Sequence, residues 1–175
     1  MKKLVFITGT RADYGKLEPL ALAAIELGHQ VHFFVTGMHL IERYGLTTIE
    51  VARQKEFKRR EFYNQNEGDS QDQVLSTTIK GFSDYIRSES PDLVLIHGDR
   101  VEALAASLVC SINYIRSVHI EGGEVSGTID EIYRHLDIFY YTSDVYPFAL
   151  LFTTGSKDLN TAKRSHALKM GYSLN

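Results

Sequence analysis

What this chain lacks limits it first. It has one cysteine, Cys110, among 175 residues, so no intrachain disulfide can form. Cys110 follows the largely apolar stretch 103–109 and is expected to be a buried small hydrophobe rather than a nucleophile. Long apolar runs are missing too. Met1-Lys2-Lys3 leads only into the short run Leu4–Ile7, which is no secretory signal. Nothing approaches the roughly 20 apolar residues of a membrane span. A soluble cytoplasmic protein with no membrane partner is the expectation. Charge of one sign is not in excess: 19 Lys and Arg stand against 22 Asp and Glu, a formal net charge of −3. That balance lacks the basic footprint of a nucleic-acid binder, although Lys157, Lys163, Arg164 and Lys169 face only Asp158 in the last segment. There is no internal repeat and no low-complexity tract. Neither G-x-G-x-x-G nor G-x-x-x-x-G-K-[ST] is present, so neither standard nucleotide fingerprint applies.

What is there begins with 43% hydrophobic content, enough for one full core with room for a small appendage. Leu4-Val5-Phe6-Ile7 reads as a buried parallel strand that stops at Thr8-Gly9-Thr10. Tyr14, Leu17, Leu20/Ala21 and Ala24/Ile25 recur at helical spacing, and Gly28 fits the residue just past the helix end. Val31–Val35 is a second strand, ended by Thr36-Gly37. Two short helices are expected around 38–44 and 47–56, then an exposed polar loop from Lys58 to Asp72. Leu75, Ile79, Phe82 and Ile86 mark one helix face. Pro91 breaks the chain before the strand Leu93–Ile96, and a helix at 101–110 and a strand at 117–120 follow.

This β-α-β-α-β order predicts an α/β fold with a Rossmann-like, doubly wound parallel sheet. Ligands of such sheets bind beyond the carboxyl ends of the strands. The residues there are Gly9-Thr10-Arg11, Thr36-Gly37-Met38-His39, His97-Gly98-Asp99-Arg100 and His119-Ile120-Glu121-Gly122-Gly123-Glu124. Gly9-Thr10-Arg11 suits an anion, since it opens a helix and adds a permanent cation; a tight turn with a solvated arginine is the other reading. Asp99 could face a cleft or cap the next helix. The paired glycines 122 and 123 allow close backbone approach, and Asp130 and Glu131 follow at a distance that brings more carboxylates near His and Arg. Such a set fits proton transfer. No compact ligand set for a metal appears, and His29, His32 and His166 read as surface or strand residues.

These motifs, with Ser126-Gly127-Thr128-Ile129-Asp130-Glu131-Ile132-Tyr133-Arg134-His135, resemble the hydrolysing UDP-N-acetylglucosamine 2-epimerases, in the branch serving sialic- and legionaminic-acid-type sugars. The resemblance covers residues 1-135. It implies half of a glycosyltransferase-B-like fold, with a nucleotide sugar held between two domains. It also implies elimination of the nucleoside diphosphate across C1–C2, then addition of water to release the 2-epimeric sugar, with no cofactor and no metal. By resemblance Asp99, Glu121 and Asp130 match the catalytic carboxylates, and Arg11 matches the position near the departing diphosphate. Gly9, His39, His97, Arg100, Glu124, Glu131 and Arg134 complete the expected substrate-binding set.

At Arg134-His135 the resemblance changes. Residues 136-175 form an expected strand–turn–helix appendage that looks like the palm–thumb junction of family X DNA polymerases. On that likeness Asp137 matches a metal-binding aspartate. Phe152 and Gly155 match a turn near the incoming sugar, and Asn160 and Arg164 match nucleotide and template contacts. The acidic partners that two-metal chemistry needs are absent from the sequence. The expected function is therefore that of the epimerase-like part. A non-catalytic fusion or binding module is the alternative, and self-association or a partner chain would cover the missing second domain.

Overall fold

The computed structural model describes residues 1–120. The chain divides into two units, Met1–Ile138 and Phe139–Asn175, and all described residues lie in the first. Among the described residues five strands run parallel: β1 (Lys3–Thr8), β2 (Gln30–Val35), β3 (Lys58–Glu61), β4 (Leu93–His97) and β5 (Ser117–Ile120). Their order in the sheet is β3-β2-β1-β4-β5. The chain thus builds outward from β1 on one side, then crosses back to place β4 on the other. The switch point falls between β1 and β4, where such sheets open a crevice.

Helices cover both faces because β1, β2 and β4 are apolar on both. On one face α1 (Arg11–Glu26) packs Tyr14, Leu17, Ala21 and Ala24 against Phe6, Phe33 and Val35. On the other, α3 (Gln71–Glu89) and α4 (Val101–Ile112) bring Phe82, Ile86, Ala106 and Val109 onto Val5, Ile7, Phe34, Val94 and Ile96. Burying a large apolar side chain contributes about 1.5–3 kcal/mol, so these two layers hold the sheet. Cys110 lies at full burial in the second layer, and desolvation pushes its thiol pKa up to about 12. It is the inert packing residue expected.

Helix ends follow their local chemistry. After α1, Gly28 takes the left-handed conformation (φ +79°), its N–H donates to Ile25 O, and His29 N–H donates to Ala24 O. That pair of hydrogen bonds is a Schellman closure with glycine at its expected place. The stretch 58–72, expected as a loop, instead starts with β3. Lys58, Arg59, Arg60 and Glu61 pair with His32–Val35 at the sheet edge, where charged side chains stay in water and discourage further pairing. Between β2 and β3, 3-10 turns at Gly37–Leu40 and Glu42–Tyr44 take the place of the short helix expected around 38–44, and a short α2 (Thr48–Arg53) falls within the second one expected at 47–56. Among the described residues no helix is long and apolar enough to cross a membrane.

Candidate functional site at the carboxyl ends of the strands

The first wall of the site is the turn from β1 into α1. Thr10 caps α1: its hydroxyl accepts the N–H of Asp13 at 3.2 Å. Asp13 returns the favour, its carboxylate accepting the N–H of Gly9 at 3.3 Å. The anion that this helix N-terminus attracts is thus partly supplied from within the chain. Arg11 is the first residue of α1 and largely exposed, with Nε 3.1 Å from Glu50 Oε1. A water-exposed pair of this kind holds its partners loosely, so the guanidinium can turn to another oxyanion.

Asp13 also joins β1 to β4. Its Oδ1 lies 3.4 Å from Nδ1 of the buried His97, the last residue of β4. The next residue, Gly98, has φ +79°, a conformation that favours glycine. Its carbonyl lies 2.6 Å from Nε2 of His119 on β5. Asp99 follows, exposed. The N-cap position of α4 is held by Arg100, whose side chain makes no cap hydrogen bond, so Asp99 lies one residue outside that position. Arg100 turns its Nε to Glu102 Oε2, 3.2 Å away. Gly9, Arg11, His97, Asp99 and Arg100 are therefore gathered at one end of the sheet.

His39 is placed differently from the ligand-facing role expected of it. Its side chain is fully buried, with Nε2 2.9 Å from the Thr8 hydroxyl and Nδ1 2.8 Å from the Thr47 hydroxyl. The Thr8 hydroxyl also donates to the Thr10 carbonyl at 3.2 Å. Burial holds the ring's pKa below the ordinary histidine value, against the upward pull of Asp13 and Glu50. Both nitrogens are engaged, and His39 acts as a strut that ties the β1 and β2 turns together.

Three polar residues that the sequence reading passed over are central to this geometry. Asp13 could have been found from Thr10-x-x-Asp13, a helix-start pattern. Glu102 could have been noticed as a charge inside an apolar helix. Asn64, buried, accepts the Gly37 N–H at 2.9 Å and donates to Thr78 Oγ1 at 2.8 Å, and nothing local in its polar stretch marks it. A groove of about 620 Å³ between β3 and α3, lined by His32, Lys58, Arg60, Phe62, Asp84 and Tyr85 among others, holds none of these strand-end residues.

The expected site residues Glu121, Glu124, Asp130, Glu131 and Arg134 lie outside the described residues. So do Asp137, Phe152, Gly155, Asn160 and Arg164, and the polymerase resemblance finds no support in comparisons with known proteins. Residues 24–138 match the family described as UDP-N-acetylglucosamine 2-epimerase. The chain belongs to that family.

Among members of the UDP-N-acetylglucosamine 2-epimerase family, the chain is 47% identical over 138 residues to a UDP-N-acetylglucosamine 2-epimerase of Neisseria meningitidis, covering 77% of this chain and 36% of that one. It is 36% identical over 141 residues to the hydrolysing UDP-N,N'-diacetylbacillosamine 2-epimerase of Legionella pneumophila, with 77% and 37% covered. A solved Neisseria meningitidis epimerase bound to UDP-GlcNAc shares the fold, with a TM-score of 0.62 at 24% identity over 74% of this chain and 34% of that one. The chain thus spans little more than a third of the length of these relatives.

Proposed function

We propose that this chain forms the sugar-side half of a hydrolysing nucleotide-sugar 2-epimerase acting on UDP-N-acetylglucosamine or a related N-acetyl amino sugar. The observation that carries the reading is the gathering of Arg11, His97, Asp99 and Arg100 at the carboxyl ends of β1 and β4. That end joins cations for a diphosphate to an exposed carboxylate for proton work. The proposed organisation is an epimerase-type domain over 1-135 and an appendage over 136-175.

In the proposed reaction a base removes the proton from C2. The C1–O bond breaks with its electron pair leaving on the diphosphate, and a glycal forms between C1 and C2. Water then adds its hydroxyl to C1, and a proton returns to C2 from the opposite face. Asp99, Glu121 and Asp130 are the proposed proton-handling groups. Arg11 stabilises the departing charge, because a cation placed where charge develops lowers the barrier. Gly9, His97, Arg100, Glu124, Glu131 and Arg134 line the substrate.

A binding-only reading is favoured by one specific fact: the cations Arg11 and Arg100 stand at this end, while Asp99 is the one expected catalytic carboxylate among the described residues. The test is release of UDP from UDP-GlcNAc by the purified chain, beside thermal shifts with UDP alone. Turnover supports the enzyme. A shift by UDP without turnover supports the binding module, and no response to either ligand rejects both.

A further inference from the structure

We infer that Glu102 is a positioning residue that clamps Arg100 so that its guanidinium presents a preset fork to an oxyanion. The inference rests on the nucleotide-sugar reading for the identity of that oxyanion, a diphosphate oxygen, but not for the clamp itself.

Glu102 is the second residue of α4, and its side chain is 3% exposed. Its carboxylate is wedged where three strand-end turns meet. A Cβ placed on Gly9 would lie 3.3 Å from Glu102 Cδ, and one on Gly37 would lie 2.7 Å from both Glu102 Oε1 and the Gly9 carbonyl oxygen. Only glycine fits at 37, where φ is also +62°. The nearby amides are already engaged: Gly9 N–H with Asp13 and Gly37 N–H with Asn64. Oε1 is buried without a hydrogen-bond partner. The one cation at the carboxylate among the described residues is Arg100, through Nε to Oε2.

A buried carboxylate with a single charged partner is costly to keep and strongly bound to that partner. Replacing it with an apolar residue of like shape is often neutral or stabilising, so the pair is better explained by orientation than by stability. With Nε committed, the Nη edge of Arg100 is the part left for a ligand, and a planar fork suits phosphate or carboxylate. Glu102 thereby couples the Gly9 turn, the Gly37 turn and Arg100 through one rigid group.

The test uses the full chain labelled with ¹⁵N. One slowly exchanging arginine Nε–H resonance is expected, assigned by its loss in Arg100→Lys. It should persist partly in Glu102→Gln, which keeps an acceptor, and move to the position of free arginine in Glu102→Met, a near-isostere without one. UDP affinity should fall in the same order, by about tenfold for Glu102→Met, and Arg100→Lys should add little on top of it. An Nε–H as slow in Glu102→Met as in the wild type overturns the inference, and so do additive losses in the double variant. If the wild-type chain does not bind UDP, the proposed function falls. The exchange arm still decides whether Glu102 clamps Arg100.

Discussion

His32 and His39 are both buried within the β1–β2 region, and for both desolvation is the main cause that lowers the pKa from 6.5. For His32 the carboxylate of Glu89, 3.2 Å from Nδ1, pulls the other way, while Lys3 and Lys58 add to the lowering. The unfolded chain therefore takes up protons near neutral pH that the folded chain refuses. Stability from these two rings is complete above the ordinary histidine value and is lost as pH falls through it. Thermal melts of the full chain should show the midpoint falling between about pH 7.5 and 5.5. His39→Gln, which keeps polar contact with both threonines, should flatten that fall. An unchanged slope in the variant would mean that His39 titrates as it does in the unfolded chain.

At the scale of the element, α1 and α4 end in the same way with different residues. After α4, Tyr114 N–H donates to Ser111 O and Ile115 N–H to Cys110 O, the same two-bond closure as at Gly28. Yet the left-handed position, φ +55°, is held by tyrosine, whose side chain is 95% exposed. A Cβ in that conformation costs about 1–2 kcal/mol, and an exposed ring recovers little of it by packing. Tyr114→Gly is expected to stabilise the chain by about 1 kcal/mol, and Gly28→Ala to destabilise it by about the same. Denaturant unfolding of the two variants checks both signs. A destabilised Tyr114→Gly would show that the ring is packed in solution.

For the whole molecule, the sheet has its proposed site at one end, and the resemblance places a second domain across that end. A second copy or a partner chain is the proposed cover for the Arg11 and Asp99 side. Sedimentation velocity over a range of concentrations should show association, strengthened by UDP-GlcNAc if the ligand sits between two protomers. A monomer at every concentration, with and without ligand, counts against this cover.

The parallel α/β class, the strand cores and the helix end at Gly28 are legible in the amino-acid order alone. Apolar runs, helical spacing and a glycine that can adopt positive φ are local signals, and the strand-end motifs that carried the family resemblance are contiguous. The amino-acid order also placed Cys110 in the core. Tertiary structure decided what depends on partners distant in the chain. β3 is an edge strand because Lys58–Glu61 find β2, although no apolar periodicity marks them. His39 is a strut because Thr8 and Thr47 close on its ring. Asp13 bonds the β1 turn and approaches His97, and Glu102 meets Gly9, Gly37 and Arg100, through contacts between turns that no spacing rule encodes. Buried polar groups must be satisfied by whatever the fold brings near, so their roles become readable only once the strands are in order.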